Sequence, residues 1–140
     1  MADAPDPVRA ALEARLKATP ALTALLGTAT GVYHRKAPQP AKPPVVVIDQ
    51  RSSIKTYAFG GEAFRTELWS VRGVAFGRTA DRADAIAEQI DIALEDAPLT
   101  ITGRTLLYLR QESELDFPEQ IGKEIFQHKG AVYRVITAPA

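Results

Sequence analysis

Few side chains in this chain have the chemical range for catalysis or metal binding. His34 and His128 are its two histidines. A metal site would need both imidazoles to meet with a carboxylate, yet they stand far apart in sequence, each near the end of an expected strand. Ser52 or Ser53 with His34 and Asp49 supplies the residue types of a hydrolytic triad. No nucleophile-elbow glycine pattern accompanies them, and any small protein offers such combinations. Phe59-Gly60-Gly61-Glu62 is glycine-rich but lacks the lysine and the following helix of a phosphate loop. The chain has no cysteine, which removes disulfides, thiolate chemistry and Cys-ligated metals. The expectation is a protein without catalytic residues, metal or cofactor.

The charged residues say more. Asp81, Asp84, Glu88, Asp91 and Glu95 alternate at three- and four-residue spacing, which on an α-helix gathers them into one stripe. Ala83, Ala87, Ile90 and Leu94 make a separate apolar stripe on the same helix. Like charges at this spacing repel by a few tenths of a kcal/mol per pair, so the stripe should face something positive or have a use for negative surface. Residues 34–55 hold the opposite sign: Arg35, Lys36, Lys42, Arg51 and Lys55 against Asp49. Formal net charge is zero, so bulk charge draws the chain to neither nucleic acid nor membrane, while the segregation suits self-association or docking. The basic segment has Tyr33, Tyr57 and Phe59 nearby, and a small nucleic-acid-binding module built on it is the alternative from a different functional class.

The elements that must carry these residues follow from local signals. The chain has 140 residues, 46% hydrophobic and 24% charged, enough for one domain with a core. No cationic and apolar leader is visible at the start, and no apolar run approaches the roughly 20 residues of a membrane span, so the expectation is a protein made and used in solution. Asp6-Pro7 and Thr19-Pro20 each read as a helix cap with proline at the first position, and Gly27 as the stop of the second helix. A short strand is expected at Val32-Tyr33-His34, followed by a proline-rich extended connector over residues 37–44. Val45-Val46-Val47-Ile48 reads as a strand covered on both faces.

Residues 52–61 are polar and end in Gly60-Gly61, which suggests a mobile loop or hairpin tip. Residues 63–71 read as a strand, and Thr79 as the cap of the acidic helix. Residues 99–102 and 104–110 flank Gly103 like a hairpin, residues 111–120 read as an acidic loop, and residues 121–137 as a strand interrupted at Lys129-Gly130 by a turn or bulge. The fold expected is α+β: a single domain over residues 1–140, with residues 1–6 flexible, in which a mostly antiparallel β-sheet is packed by an N-terminal helix and a central helix.

The order of segments resembles a known family. Pro20-Ala-Leu-Thr-Ala-Leu-Leu-Gly27 leads into Val32-Tyr33 and a proline stretch. Then come Pro44-Val-Val-Val-Ile48, Glu67-Leu-Trp-Ser70, the Ala-rich helix over residues 80–94 and a closing Tyr133-Arg-Val-Ile136. This is similar to the tail terminator (tail-completion, minor tail protein U-like) family of long-tailed bacteriophages, prophages and gene transfer agents. The resemblance implies a structural virion protein that caps the head-proximal end of the tail tube as a hexameric ring. It would sit at the tail-neck junction after synthesis in the bacterial host cytoplasm. The partners implied are other copies of the chain, the major tail tube protein and a head-completion connector, with DNA passing through the lumen without specific binding and no membrane. Another neck component, a connector or stopper, is the nearest alternative. Within the implied ring, Asp81, Asp84, Glu88, Asp91 and Glu95 are expected at a subunit seam or on the lumen wall. Arg35, Lys36, Lys42, Arg51 and Lys55 form the complementary patch, and Ser52, Ser53, Lys55, Tyr57 and Phe59 the contact with the tail tube.

Overall fold

A computed structural model describes residues 6–27, 31–35 and 44–140. The connector expected over residues 37–44 therefore lies, except for Pro44, outside the described residues, as do Lys36, Lys42 and residues 1–5. Asp6 caps α1 (Pro7–Lys17), its carboxylate accepting from the Val8 N–H at 2.8 Å. This satisfies one of the donors that a helix start leaves free. α2 (Pro20–Leu26) ends at Gly27, whose φ of 75° is the left-handed turn that glycine adopts without strain. Both helices bury one face: Val8, Leu12 and Leu16 from α1, Leu22 and Leu26 from α2.

Five strands form one sheet in the order β1-β2-β3-β5-β4. They are β1 (Val32–His34), β2 (Val45–Ala58), β3 (Gly61–Phe76), β4 (Arg104–Ile121) and β5 (Glu124–Pro139). Only β1 and β2 are parallel; the other neighbours are antiparallel. The helices, including α3 (Asp81–Leu94), join one face of this sheet in a common core with Val46, Ile48, Trp69, Val71, Ala131, Tyr133 and Val135. Trp69 and Tyr133 are opposite partners on β3 and β5 and among its largest members. The arrangement is the expected α+β one. Val45 and Val47 point the other way and join Val74, Tyr33 and Phe126 in a small second cluster, so the Val45–Ile48 run is buried on both faces, as its composition suggests.

Several local expectations give way. Residues 111–120 are not a loop but the C-terminal half of β4. Their acidity has a cross-strand reason: Asp116 lies 3.7 Å from Lys129 and Glu112 pairs with Arg134, opposite charges on adjacent strands being favourable, and Glu119 hydrogen-bonds the His128 ring at 2.9 Å. β5 runs unbroken through Lys129-Gly130, and the turn lies at Gly122-Lys123. Gly130 serves close strand approach, because a Cβ there would fall 2.5 Å from Arg72 Cα and against the Val71 carbonyl. Residues 99–102 form no strand; Ile101 and Arg104 make one isolated bridge. Thr79 does not cap α3, whose N-cap is Ala80 with no side-chain bond. Asp81 and Asp84 instead place negative charge at the positive end of the helix dipole.

Of the mobile loop and the hairpin tip that residues 52–61 suggested, the structure has the hairpin, drawn out into a paired arm. Ser52 through Ala58 of β2 are registered against β3 up to Gly61, leaving a turn at Phe59-Gly60. The β3–β5 pairing runs from Arg65 opposite Thr137 to Phe76 opposite Phe126. The β2–β3 turn projects beyond the first end, and the β4–β5 turn beyond the second.

Candidate functional site

α3 lies against β3 and β5, with Gly73 of β3 beneath Ile86; a Cβ at Gly73 would fall 2.5 Å from the Ile86 side chain. This contact turns part of the acidic stripe onto the sheet. The Asp84 carboxylate is 3.0 Å from Lys129 Nζ, Asp91 accepts from the Tyr133 hydroxyl at 3.0 Å, and Glu95 accepts from the Gln111 N–H at 2.9 Å. The positive partner missing from the sequence around α3 is thus Lys129, delivered by β5. Asp81 and Glu88 remain exposed and take part in no ion pair among the described residues. A cleft of about 230 Å³ opens between helix and sheet, lined by Asp84, Glu88, Asp91, Glu114, Lys129 and Tyr133 among others. Asp84, and more weakly Asp116 and Glu114, hold the Lys129 ammonium above its ordinary pKa. Burial first, then Asp91, pushes the Tyr133 hydroxyl far up, so it acts as a fixed donor.

The basic residues lie at the other edge. Arg35 has φ 68° just after β1, and its N–H donates to the Ile48 carbonyl at 2.8 Å. Arg51 is the extra residue of the bulge between Gln50 and Ser52, and Lys55 lies farther along the arm; both are exposed. In the order β1-β2-β3-β5-β4, these cations mark one margin of the sheet. Glu112, Glu114, Asp116 and Glu119 of β4 mark the other, on the side to which the C-terminal end of α3 is bonded. The β4 acids give little away in sequence, although their near-alternating spacing in 112–116 is the available signal of a strand.

The arm carries Ser52, Ser53, Lys55, Tyr57 and Phe59 as one continuous element. Tyr57 is 68% exposed and Phe59 wholly so, together with Ile54 at 62%, which composition alone did not single out. The β4–β5 hairpin exposes Ile121 and Phe117 at the opposite end.

The triad residues are not brought together. Asp49 bonds Arg72 at 2.8 Å, whereas His34 bonds Arg9 of α1 at 2.7 Å and lies near Trp69 on the helix-covered face. His128 is on the other face, accepting from Arg72 Nε at 3.2 Å and stacked on Phe117 at 4.5 Å. Burial, then Arg9 and Arg35, lowers the pKa of His34. Among the described residues no cluster of His, Asp and Glu is arranged to hold a metal ion. No helix among them is long and apolar enough to cross a membrane.

One buried ionisable group stands apart. Glu67 of β3 has no exposed surface; its Oε1 accepts from Gln50 Nε2 at 2.7 Å, and its Oε2 has no partner among the described residues. Burial above all, with the nearby Asp6 carboxyl adding to it, raises its pKa from 4.5 to about 8.

Comparison with known proteins gives a consistent picture. A family model described as tail completion protein gp17 matches residues 10–135. A chain from the virion of a native gene transfer agent particle has the same fold, with TM-score 0.76 and 20% identity over 94% of each chain. A second solved chain, carrying no descriptive name, superposes with TM-score 0.58 and 18% identity over 96% of each. No curated protein sequence matches.

Proposed function

This chain belongs to the family of tail completion protein gp17, and we propose that it works as a closed, six-fold ring on the head-proximal end of a phage-type tail tube. There it ends tube polymerisation and presents a surface to the head-completion connector. The fold shared with a chain of a gene transfer agent virion supports a place in a particle of this kind. The observation that carries the reading is the opposite charge of the two sheet margins. A closed ring needs two different patches on each subunit that complement one another. Arg35, Arg51 and Lys55 at the β1–β2 margin face outward without an ion pair among the described residues, as does Glu114 at the β4 margin, whose other acids Glu112, Asp116 and Glu119 are held by Arg134, Lys129 and His128.

Tyr57 and Phe59 at the projecting tip are the contact with the tail tube. Large aromatics exposed in this way are uncommon on a surface without a partner. Asp84, Asp91 and Glu95 are occupied within the subunit, so Asp81 and Glu88 are the stripe residues left for a seam or a lumen wall. DNA crosses the ring without a specific site.

Negative-stain imaging of the purified protein, alone and with tail tubes, tests this function. Six-fold rings, or density closing tube ends, are expected. A monomer that ignores tubes overturns it, and binding to connector but not to tube shifts the role to a stopper. Converting Asp81 and Glu88 to Lys separates the uses of the stripe: failed rings mark a seam, and intact rings with slowed DNA delivery mark a lumen wall.

A further inference from the structure

Two edges of the sheet are open, and they match. β1 pairs only with Val46, Val47 and Ile48 of β2, and among the described residues nothing pairs with the outer side of residues 49–58. At β4, the C-terminal end of α3 takes two edge groups: the Asp96 N–H donates to the Leu109 carbonyl at 3.0 Å and the Gln111 N–H to Glu95 at 2.9 Å. Residues 112–121 are uncovered beyond that point among the described residues. Unpaired edges of this length invite another strand unless they are blunted.

Direction, bulge positions and side-chain faces all suit a pairing of these two edges with each other. β2 is antiparallel to β3, β3 to β5 and β5 to β4, so β4 of one copy meets β2 of the next as an antiparallel neighbour with the helices on the same side. The β2–β3 register shifts at Arg51 of β2 and, between Thr56 and Tyr57, at Ala63 of β3, leaving residues 52–56 regular. The bulge of β4 nearest the opening ends at Ser113, leaving the residues after it regular.

Side chains then select the register. Lys55 is opposite Arg65 and Glu114 opposite Ala131, which sets both on the helix-covered face. Ile54 and Leu115 are on the other face. Lys55 faces a like charge across its own hairpin, an unfavourable pair, and neither Lys55 nor Glu114 has an ion-pair partner among the described residues. A slip of one residue would set Lys55 against a side chain on the wrong face. A slip of two would set it against Asp116, which already has Lys129 at 3.7 Å, and Ile54 against Phe117, which already stacks on His128.

We propose that residues 52–56 of one copy add to residues 113–117 of the next as an antiparallel ladder, with Ile54 opposite Leu115 and Lys55 opposite Glu114. The proposal rests on the ring reading and names its seam: main-chain bonds hold the subunits, and the apolar and charged pairs fix register.

The chain has no cysteine, so engineered thiols report the seam directly. Directly opposite residues on antiparallel strands have Cα atoms about 4.5–5.5 Å apart, within disulfide reach. Under mild oxidation, Ile54→Cys with Leu115→Cys is expected to give a covalent ladder of subunits ending at the ring size, and neither single variant does so. Lys55→Glu alone and Glu114→Lys alone each raise the concentration for half-assembly by about tenfold or more, and the two together restore it. Rings of normal size without the ladder, or a ladder from Ile54→Cys with Phe117→Cys instead, overturn this pairing and leave the ring reading intact. A wild-type chain that stays monomeric with and without tail tubes overturns both.

Discussion

Replacing Glu67 with Gln should change how stability depends on pH more than how the chain folds. Glu67 is fully buried and its pKa is raised from 4.5 to about 8. The neutral carboxyl is therefore the form that the folded state holds. Below the unfolded-state value both states are protonated, and the contribution of the group is fully present. As pH rises from about 4.5, the unfolded chain loses its proton first, and stability falls until the folded group also ionises near pH 8. Stability changes by ~1.4 kcal/mol for every pH unit that separates the two ionisations, so the whole window spans roughly 5 kcal/mol. Gln keeps an oxygen to accept from Gln50 and cannot ionise. Glu67→Gln should match the wild type to within about 1 kcal/mol at pH 4.5 and exceed it by several kcal/mol at pH 8.5. In urea, with a slope of about 2 kcal/mol per molar, the midpoints separate by about 2 M at the alkaline end. Denaturation curves of both proteins at half-unit pH steps provide the assay. Midpoints that run parallel from pH 4.5 to 8.5 refute the reasoning.

Gly130→Ala forces a methyl group against the Val71 and Arg72 backbone, which cannot turn aside; about 3 kcal/mol and a drop in Tm of about 10 °C are expected by calorimetry. Gly73→Ala meets the Ile86 side chain instead, which can rotate, so its loss in the same assay should be about 1 kcal/mol. Tyr133→Phe removes the bond to Asp91 and should lower the urea-derived stability by about 1 kcal/mol. Phe59→Ser at the wholly exposed tip should leave Tm nearly unchanged, while electron microscopy of mixtures with tail tubes shows the ends no longer capped.

The helical part of the fold was legible because its signals are local. Asp6-Pro7, Thr19-Pro20 and Gly27 act on residues within one turn: α1 begins after Asp6, and α2 begins after Thr19 and ends before Gly27. β4 was illegible for a physical reason. Two bulges, between Leu106 and Tyr108 and between Gln111 and Ser113, shift its alternation twice, so no single period of two runs through it. Its acids read as a loop because the side chains they meet, His128, Lys129 and Arg134, are on the following strand. The stripe on α3 was visible at once, yet Lys129 is 45 residues beyond Asp84 in the chain, and spacing along a helix carries no information about such a partner. The same holds for Glu67, which resembles any strand glutamate until the fold buries it and brings Asp6 near.

The two hairpins that leave the sheet at opposite ends give the subunit a heading. One end carries Tyr57 and Phe59, the other Phe117 and Ile121, and no rotation about a ring axis to which the strands are inclined exchanges them. Copies arranged around such an axis would all point the same way, producing a collar with an aromatic rim and an unlike rim. Such a collar can be threaded onto a tube in one orientation only, and a second collar cannot stack on the first through the same contacts. On the proposed ring reading, such a part would end a polymer because its far rim does not repeat the surface that the aromatic rim has just recognised.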